Sequence, residues 1–277
     1  MELWYTENQN DDLRFSCRVT RTLHVEKTPF QHLAVLETPC FGRVLVLDGI
    51  VQTTVWDEFM YHEMIAHVPL NTHPRPEKVL IIGGGDGGTA REVVRHPKVK
   101  NAVMVEIDER VIAVSRQYLP ELSRGLDDPK LELRIEDGIE YVTKHPGEYD
   151  VILIDSPDPI GPAKGLFGRQ FYEGVAAALK EDGLFVAQTE SPLFNPDLIA
   201  EIYRNLREIF PIVRLYLTCV PTYPGGMWSF TLASKKYDPL EVKPEDIPAL
   251  PYRYYNAEIH RAAFALPQFL QEILRRA

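Results

Sequence analysis

From residue 78 onward the chain repeats one pattern: a short apolar run, a polar or glycine-rich turn, then a segment with helical spacing. "KVLII" leads to a helical pattern from about Thr89, "NAVMVEI" to one from about Glu109, "LELRI" to one near Ile139 and "YDVILID" to one near Tyr172. "GLFVAQ", "RLYLTCV" and "WSFTLAS" complete the set. Runs apolar on both sides must be covered on both faces, and the alternating helices supply that cover. The expected fold is therefore a doubly wound, Rossmann-like α/β sheet whose ligands sit beyond the carboxyl ends of its strands.

A different pattern precedes it. Residues 13–55 hold short β-type runs broken by Pro29, Pro39, Gly42 and Asp48-Gly49, which predicts a small antiparallel β domain over residues 1–60 ahead of a Rossmann-like domain over 61–277. "DEFMYHEMIAHVPL" places Met60, Met64, Ile65 and Val68 at helical spacing, and "NTHPRPEK" is a proline-marked linker. After a proline-rich crossing, "AEIHRAAFALPQFLQEIL" reads as one amphipathic C-terminal helix.

The 30 basic and 40 acidic residues give a net charge of -10, which works against a nucleic-acid partner and suits a cationic one. No run approaches the ~18 apolar residues of a membrane span, and the N-terminus has neither a basic nor an apolar leader region, so a cytoplasmic protein with no membrane partner is expected. Cys17, Cys40 and Cys219 are too scattered for a disulfide framework or a zinc ribbon. His62 and His67 lie five apart, not the four that would place two metal ligands on one helix face, so no metal site is expected.

Five strand ends carry polar or glycine-rich segments that should open on one sheet edge: Gly83-Gly84-Gly85-Asp86-Gly87-Gly88, Glu106-Ile107-Asp108, Asp137-Gly138, Asp155-Ser156-Pro157-Asp158-Pro159, and Gln188. Glu106 follows Gly88 by eighteen positions, the separation of a carboxylate that accepts from ribose hydroxyls, so a nucleoside is implied. Asp137 is placed to accept from an exocyclic amine. Asp86 opposes a pyrophosphate, whose binding relies on bare N–H groups and a positive helix end. A sulfonium nucleoside fits better, and of the two forms of S-adenosylmethionine the decarboxylated one, with an ammonium and no carboxylate, pairs with Asp86. A helix-capping role for Asp86 is the competing reading. Asp155 and Asp158, stiffened by prolines, add to an acidic pocket that invites a polyamine.

"GGGDGG", "DSPDPIGPA", "YHE", "LDGIVQ" and "PTYPGGMWSF", with their order along the chain, resemble the spermidine synthases of the polyamine aminopropyltransferase family. The resemblance implies a small β domain on a methyltransferase-like domain, homodimers or homotetramers, and aminopropyl transfer from decarboxylated S-adenosylmethionine to a diamine, with putrescine as the default acceptor. The sulfonium nucleoside is then a co-substrate and no resident cofactor is expected. The resemblance assigns Gln31, Glu106, Ile107, Asp137, Gly138 and Pro162 to the thioadenosine part, and Asp86 to the aminopropyl ammonium. Asp155 becomes the proton acceptor, with Tyr61 and Asp158 acting beside it and Gln52 near the reacting amine. His62, Ser156, Pro157, Asp158, Gln188 and Tyr223 line the amine channel. Trp228 closes one side of that channel and Trp4 its far end, while Lys164 points to solvent. The competing functions are a methyltransferase using the intact donor, a non-catalytic polyamine-binding protein, and a transferase acting on cadaverine, agmatine or spermidine.

Overall fold

The computed structural model describes residues 2–158 and 161–277, with the side chains of all of these except residues 161 and 162. The N-terminal part is all β. Strands β1 (Leu3–Asn8) and β2 (Arg14–Val19) pair antiparallel, and β3 (Arg21–Lys27), β4 (His32–Thr38), β5 (Gly42–Leu47) and β6 (Ile50–Thr54) form a four-stranded antiparallel sheet in chain order. Asp48 and Gly49 both take positive φ, 49° and 81°, as a two-residue turn matched to strand twist requires. Strand β1 lies ahead of the β-type runs read from the sequence. It is mostly exposed, and its apolar residues Leu3, Trp4 and Tyr5 are consecutive, so no apolar alternation marks it.

Helix α1 (Glu58–Thr72) leads into the second part: β7 (Lys78–Gly83), α2 (Gly88–Arg95), β8 (Asn101–Glu106), α3 (Glu109–Tyr118), α4 (Pro120–Ser123), β9 (Leu131–Ile135), α5 (Gly138–Lys144), β10 (Tyr149–Asp155), α6 (Arg169–Ala178), β11 (Leu179–Gln188), α7 (Pro196–Arg207), β12 (Ile212–Cys219) and β13 (Met227–Ser234). These seven strands form one sheet in the order β12-β13-β11-β10-β7-β8-β9, parallel from β11 to β9, with β12 and β13 antiparallel. Successive side chains of a strand face opposite ways, and the core divides accordingly. Val79, Ile81, Met104, Val151 and Leu153 pack with α1 and α2 on one face, and Leu80, Ile82, Val105, Ile152 and Ile154 pack with α5, α6 and α7 on the other.

The chain's direction of travel across the sheet reverses between β7 and β10, which opens a crevice at their carboxyl ends, the usual ligand position of such sheets. The N-terminal sheet roofs that crevice. Leu33, Val35, Leu45 and Leu47 pack on Val111 and Val114 of α3 and on Leu119 and Leu122, a buried apolar seam in which each side chain contributes about 1.5–3 kcal/mol. The exposed Arg110–Glu26 pair across the same seam is bathed in water and adds little.

The C-terminal segment is two helices, α8 (Ala257–Ala262) and α9 (Gln268–Arg276), where the sequence reads as one. Pro267 has no N–H to continue the first helix and disfavours helical backbone at the residue before it, so the apolar periodicity spans a break. The proline-rich crossing is pinned by Glu63, which accepts from the backbone N–H groups of Arg253, Tyr254 and Tyr255.

Candidate active site

Gly83 and Asp155 end neighbouring strands, and the Gly84 N–H donates to the Asp155 carbonyl at 2.8 Å. Gly83 has φ 80°, and a Cβ there would stand 2.1 Å from the Asp155 carbonyl oxygen, so only glycine permits this approach. The two loops diverge from that junction around a cavity of ≈ 330 Å³, lined by the glycine loop, Glu106, Asp137, Gly138, Asp155 and the roof residues Gln31, Leu45, Leu47 and Gln52.

At the nucleoside end Glu106 is buried and accepts from the Asp108 N–H at 2.9 Å. Burial, and secondarily the Asp108 charge, pushes its carboxyl up to about 7. Ile107, beside it, also lines the cavity. Gln31 reaches down from the roof and donates to Asp108 at 2.9 Å, which fixes its side chain at the cavity wall. Asp137 caps α5 by accepting from the Ile139 N–H at 2.7 Å, with Gly138 against Ile82 below it. The Pro162 side chain assigned to this end lies outside the described residues.

At the reacting centre both oxygens of Asp155 are engaged: Tyr61 donates to Oδ1 at 2.9 Å and Thr89 to Oδ2 at 2.6 Å. Burial, then the Asp86 charge, raises its pKa, while His62 and the two hydroxyl donors oppose that rise. Asp86 accepts from the Gly88 N–H at 2.7 Å and lies 3.3 Å from His62 Nε2, both through Oδ1. It is thus a loop-closing acceptor and a wall of the cavity at once, which joins its two sequence readings. Gln52 spans the two compartments, its carbonyl accepting from the Tyr223 hydroxyl at 2.5 Å.

A smaller compartment continues past Tyr61 and Tyr223, lined by Ser156, Pro157, Asp158, Gln188 and Trp228. Tyr223 packs edge-on to Trp228, with ring centroids 4.6 Å apart, and the buried Trp228 Nε1 has no partner among the described residues. Two acids missed in the sequence adjoin this compartment, Glu7 in its lining and Glu190 behind it. Glu190 is buried, has a left-handed φ of 68°, accepts from the Gln188 amide at 3.2 Å and lies near Asp158. Burial and the Asp158 charge raise its carboxyl well above the usual range. Glu7 enters from β1, buried, with its carboxyl raised by burial and accepting from the Val51 N–H at 2.7 Å. A strained backbone at a charged residue is the kind of cost retained at working sites.

His62 lines the cavity and is buried behind Asp86, between that carboxylate and Glu58. Burial would push its ring toward neutrality, but Asp86 and Glu58 hold its pKa up to about 10. One sequence expectation needs correction. Trp4 stands exposed on β1 and lines neither compartment, since side chains alternate along the strand and Glu7 takes the inward position. Lys164 is exposed, as expected.

The arrangement agrees with what known proteins resemble this chain. A spermine/spermidine synthase domain matches residues 58–243 and a spermidine synthase tetramerisation domain residues 3–55. The polyamine aminopropyltransferase of Desulforudis audaxviator is 62% identical over 99% of this chain and 100% of its own length, and that of Moorella thermoacetica 61% over 98% and 96%. The crystal structure of a spermidine synthase in complex with the transition-state analogue AdoDATO superposes with a TM-score of 0.96 at 46% identity, covering 99% of this chain and 96% of that one. The spermidine synthase from Thermotoga maritima gives 0.93 at 45%, covering 99% and 94%. On the match of both domains and of these full-length relatives, the chain belongs to the spermine/spermidine synthase family.

Proposed function

We propose that the protein transfers the aminopropyl group of decarboxylated S-adenosylmethionine to putrescine, giving spermidine and 5′-methylthioadenosine. The observation that carries this reading is the placement of Asp86 and Asp155 on opposite lips of one crevice, with Glu106 at the nucleoside end and the acids Asp158 and Glu7 at the other. In this reading Glu106 accepts from the ribose hydroxyls, Asp137 from the base amine, and Gln31, Ile107, Gly138 and Pro162 frame the thioadenosine. Asp86 pairs with the donor's ammonium.

An alkyl amine has a pKa near ~10.4, so the acceptor arrives as a dication without a free lone pair. Asp155 takes one proton from the near nitrogen, and its raised basicity suits that task. The freed lone pair attacks the methylene bonded to sulfur, the carbon–sulfur bond breaks, and methylthioadenosine leaves uncharged. The sulfonium needs no acid to depart, so the protein's work is alignment and exclusion of water. Tyr61 and Gln52 flank the near nitrogen, while Asp158, with Ser156, Pro157, Gln188, Tyr223 and Trp228 around it, receives the far ammonium. No resident cofactor enters the scheme.

The protein is further proposed to act in the cytoplasm as a homotetramer joined through its β domain. Leu3, Trp4 and Val25 support this, being apolar side chains more than half exposed on that domain. Among the described residues no helix is long and apolar enough to cross a membrane.

The test is mass-spectrometric product analysis with the decarboxylated donor and an equimolar panel of putrescine, cadaverine, agmatine and spermidine, with intact S-adenosylmethionine as a parallel donor. Spermidine with stoichiometric methylthioadenosine is the expected result. Methylated amine from the intact donor, or no product from either donor, would overturn the reading.

A further inference from the structure

Behind Asp86 runs a buried chain of charges that no substrate group reaches in the scheme above. Nδ1 of His62 lies 2.7 Å from Glu58 Oε2, one turn back on α1, and Nε2 lies 3.3 Å from Asp86 Oδ1. Glu58 in turn accepts two N–H groups of Arg91 on α2, at 3.1 and 2.8 Å. Arg91 also donates to Glu92 and to the Glu121 carbonyl, each at 2.9 Å, so four of its five N–H groups are committed. His62, Glu58 and Arg91 are all buried.

An imidazole with a carboxylate oxygen at each nitrogen satisfies both only when both nitrogens carry hydrogen; a neutral ring would aim a lone pair at one of them. His62 and then Arg91 keep Glu58 ionised against its burial, and Asp86 with Glu58 keeps the ring charged. The groups facing the ring are Glu58 and Tyr61 from α1, Asp86 from the glycine loop, Asp155 from β10, and Arg91 from α2 by way of Glu58. Gly88 makes room for the ring, because a Cβ there would stand 2.2 Å from it. The Gly88 N–H and the His62 ring both act on Oδ1 of Asp86, which restrains the rotation of that carboxylate at the cavity wall.

We infer that Glu58 and Arg91 are positioning residues of the donor site: acting through His62, they hold Asp86 as an oriented anion and so make the site select a donor tail that carries an ammonium and no carboxylate. The inference rests on the proposed pairing of Asp86 with the donor's ammonium. If the ring loses its charge, Asp86 faces Asp155 without the nearby cation and turns away from it. The repulsion that excludes a donor carboxylate then weakens.

The experiment compares wild type with Glu58→Gln and Arg91→Lys, measuring KM and kcat for the decarboxylated donor from about pH 6 to 9 and binding of intact S-adenosylmethionine by calorimetry. In wild type His62 stays charged until about pH 10, so a change of the donor KM over this range reports Glu106, whose carboxyl is pushed up to about 7, and serves as the baseline. In Glu58→Gln the ring has one carboxylate partner fewer and titrates within the range, so the donor KM, taken relative to wild type at each pH, rises about tenfold from the acid to the alkaline end while the acceptor KM follows the wild-type profile. The intact donor gains affinity relative to the decarboxylated one. Arg91→Lys, which keeps the charge but loses the fork, shows a smaller shift of the same sign and serves as the readout if Glu58→Gln fails to fold. A donor KM in the folded variants that keeps a constant ratio to wild type across the range, or a parallel rise in the acceptor KM ratio, would overturn the inference. Wild type that binds intact and decarboxylated donors equally would instead overturn the assignment of Asp86.

Discussion

Tyr61 on α1 donates a 2.9 Å hydrogen bond to Oδ1 of Asp155 at the end of β10, so the carboxylate proposed as base is held from a different element than the one that carries it. A hydrogen bond to a charged group contributes about 1.5–3 kcal/mol. Tyr61→Phe is expected to lower kcat by roughly 10- to 100-fold. Losing a donor to the anion also raises the Asp155 pKa further, so the acid limb of the rate profile moves to higher pH. A single-turnover pH profile checks this, and an unchanged acid limb would refute it.

Asp86→Asn removes the charge proposed to meet the donor's ammonium while keeping an acceptor for the Gly88 N–H. Truncating one side of a buried ion pair costs about 2–5 kcal/mol, so binding of the decarboxylated donor is expected to weaken by roughly 30-fold or more. Intact S-adenosylmethionine, relieved of repulsion, is expected to lose far less. Calorimetry with both donors decides it, and an equal loss for the two would count against the pairing.

Burial raises the carboxyls of the neighbouring Asp158 and Glu190 above their usual range. A dicationic acceptor binds best when both are ionised. The pair's raised pKa means that the binding-competent anion gains population as pH rises, so the acceptor KM is expected to fall from about pH 6 to 8. Glu190→Gln should flatten that slope and raise KM for putrescine more than for 1-aminobutane, which lacks the far ammonium. An equal effect on the two amines would show Glu190 to be a packing residue only.

Gly88→Ala tests the room left for the His62 ring. A Cβ 2.2 Å from a ring held at both nitrogens forces a shift, and overpacking of this kind costs about 1–3 kcal/mol. The thermal midpoint is expected to drop by several degrees, at about 2–4 °C per kcal/mol for a chain near this size. Calorimetric melting at matched pH gives the value, and no change in midpoint would mean that the ring has slack.

The strands and the order of their loops were legible in the sequence because both faces of the sheet are buried, which leaves an unbroken apolar signal in β7, β8 and β10. The acidic loops could be read for the same reason, each being the polar punctuation after such a run. The partners that tune them could not. Glu58 and Arg91 are 33 positions apart, and their meeting depends on α1 packing against α2. Thr89 looks like any helix-start residue until β10 is placed beside it. Glu7 belongs to a strand without apolar alternation. Glu190 did leave a signal, two residues past Gln188 at the end of β11, where the other strands also place their functional groups.

The bond from the Gly84 N–H to the Asp155 carbonyl has a consequence for how such a protein can change. It ties the loop proposed to meet the donor to the strand end that carries the proposed base, so the geometry of the proposed bond making and breaking is set in the middle of the sheet. The far end of the proposed amine channel is assembled elsewhere, by Glu7 from β1 in its lining and by Glu190 behind Gln188 at the end of β11. A lineage that exchanges one amine for a longer or differently ended one can therefore rewrite those outlying positions and leave the inherited reaction centre untouched.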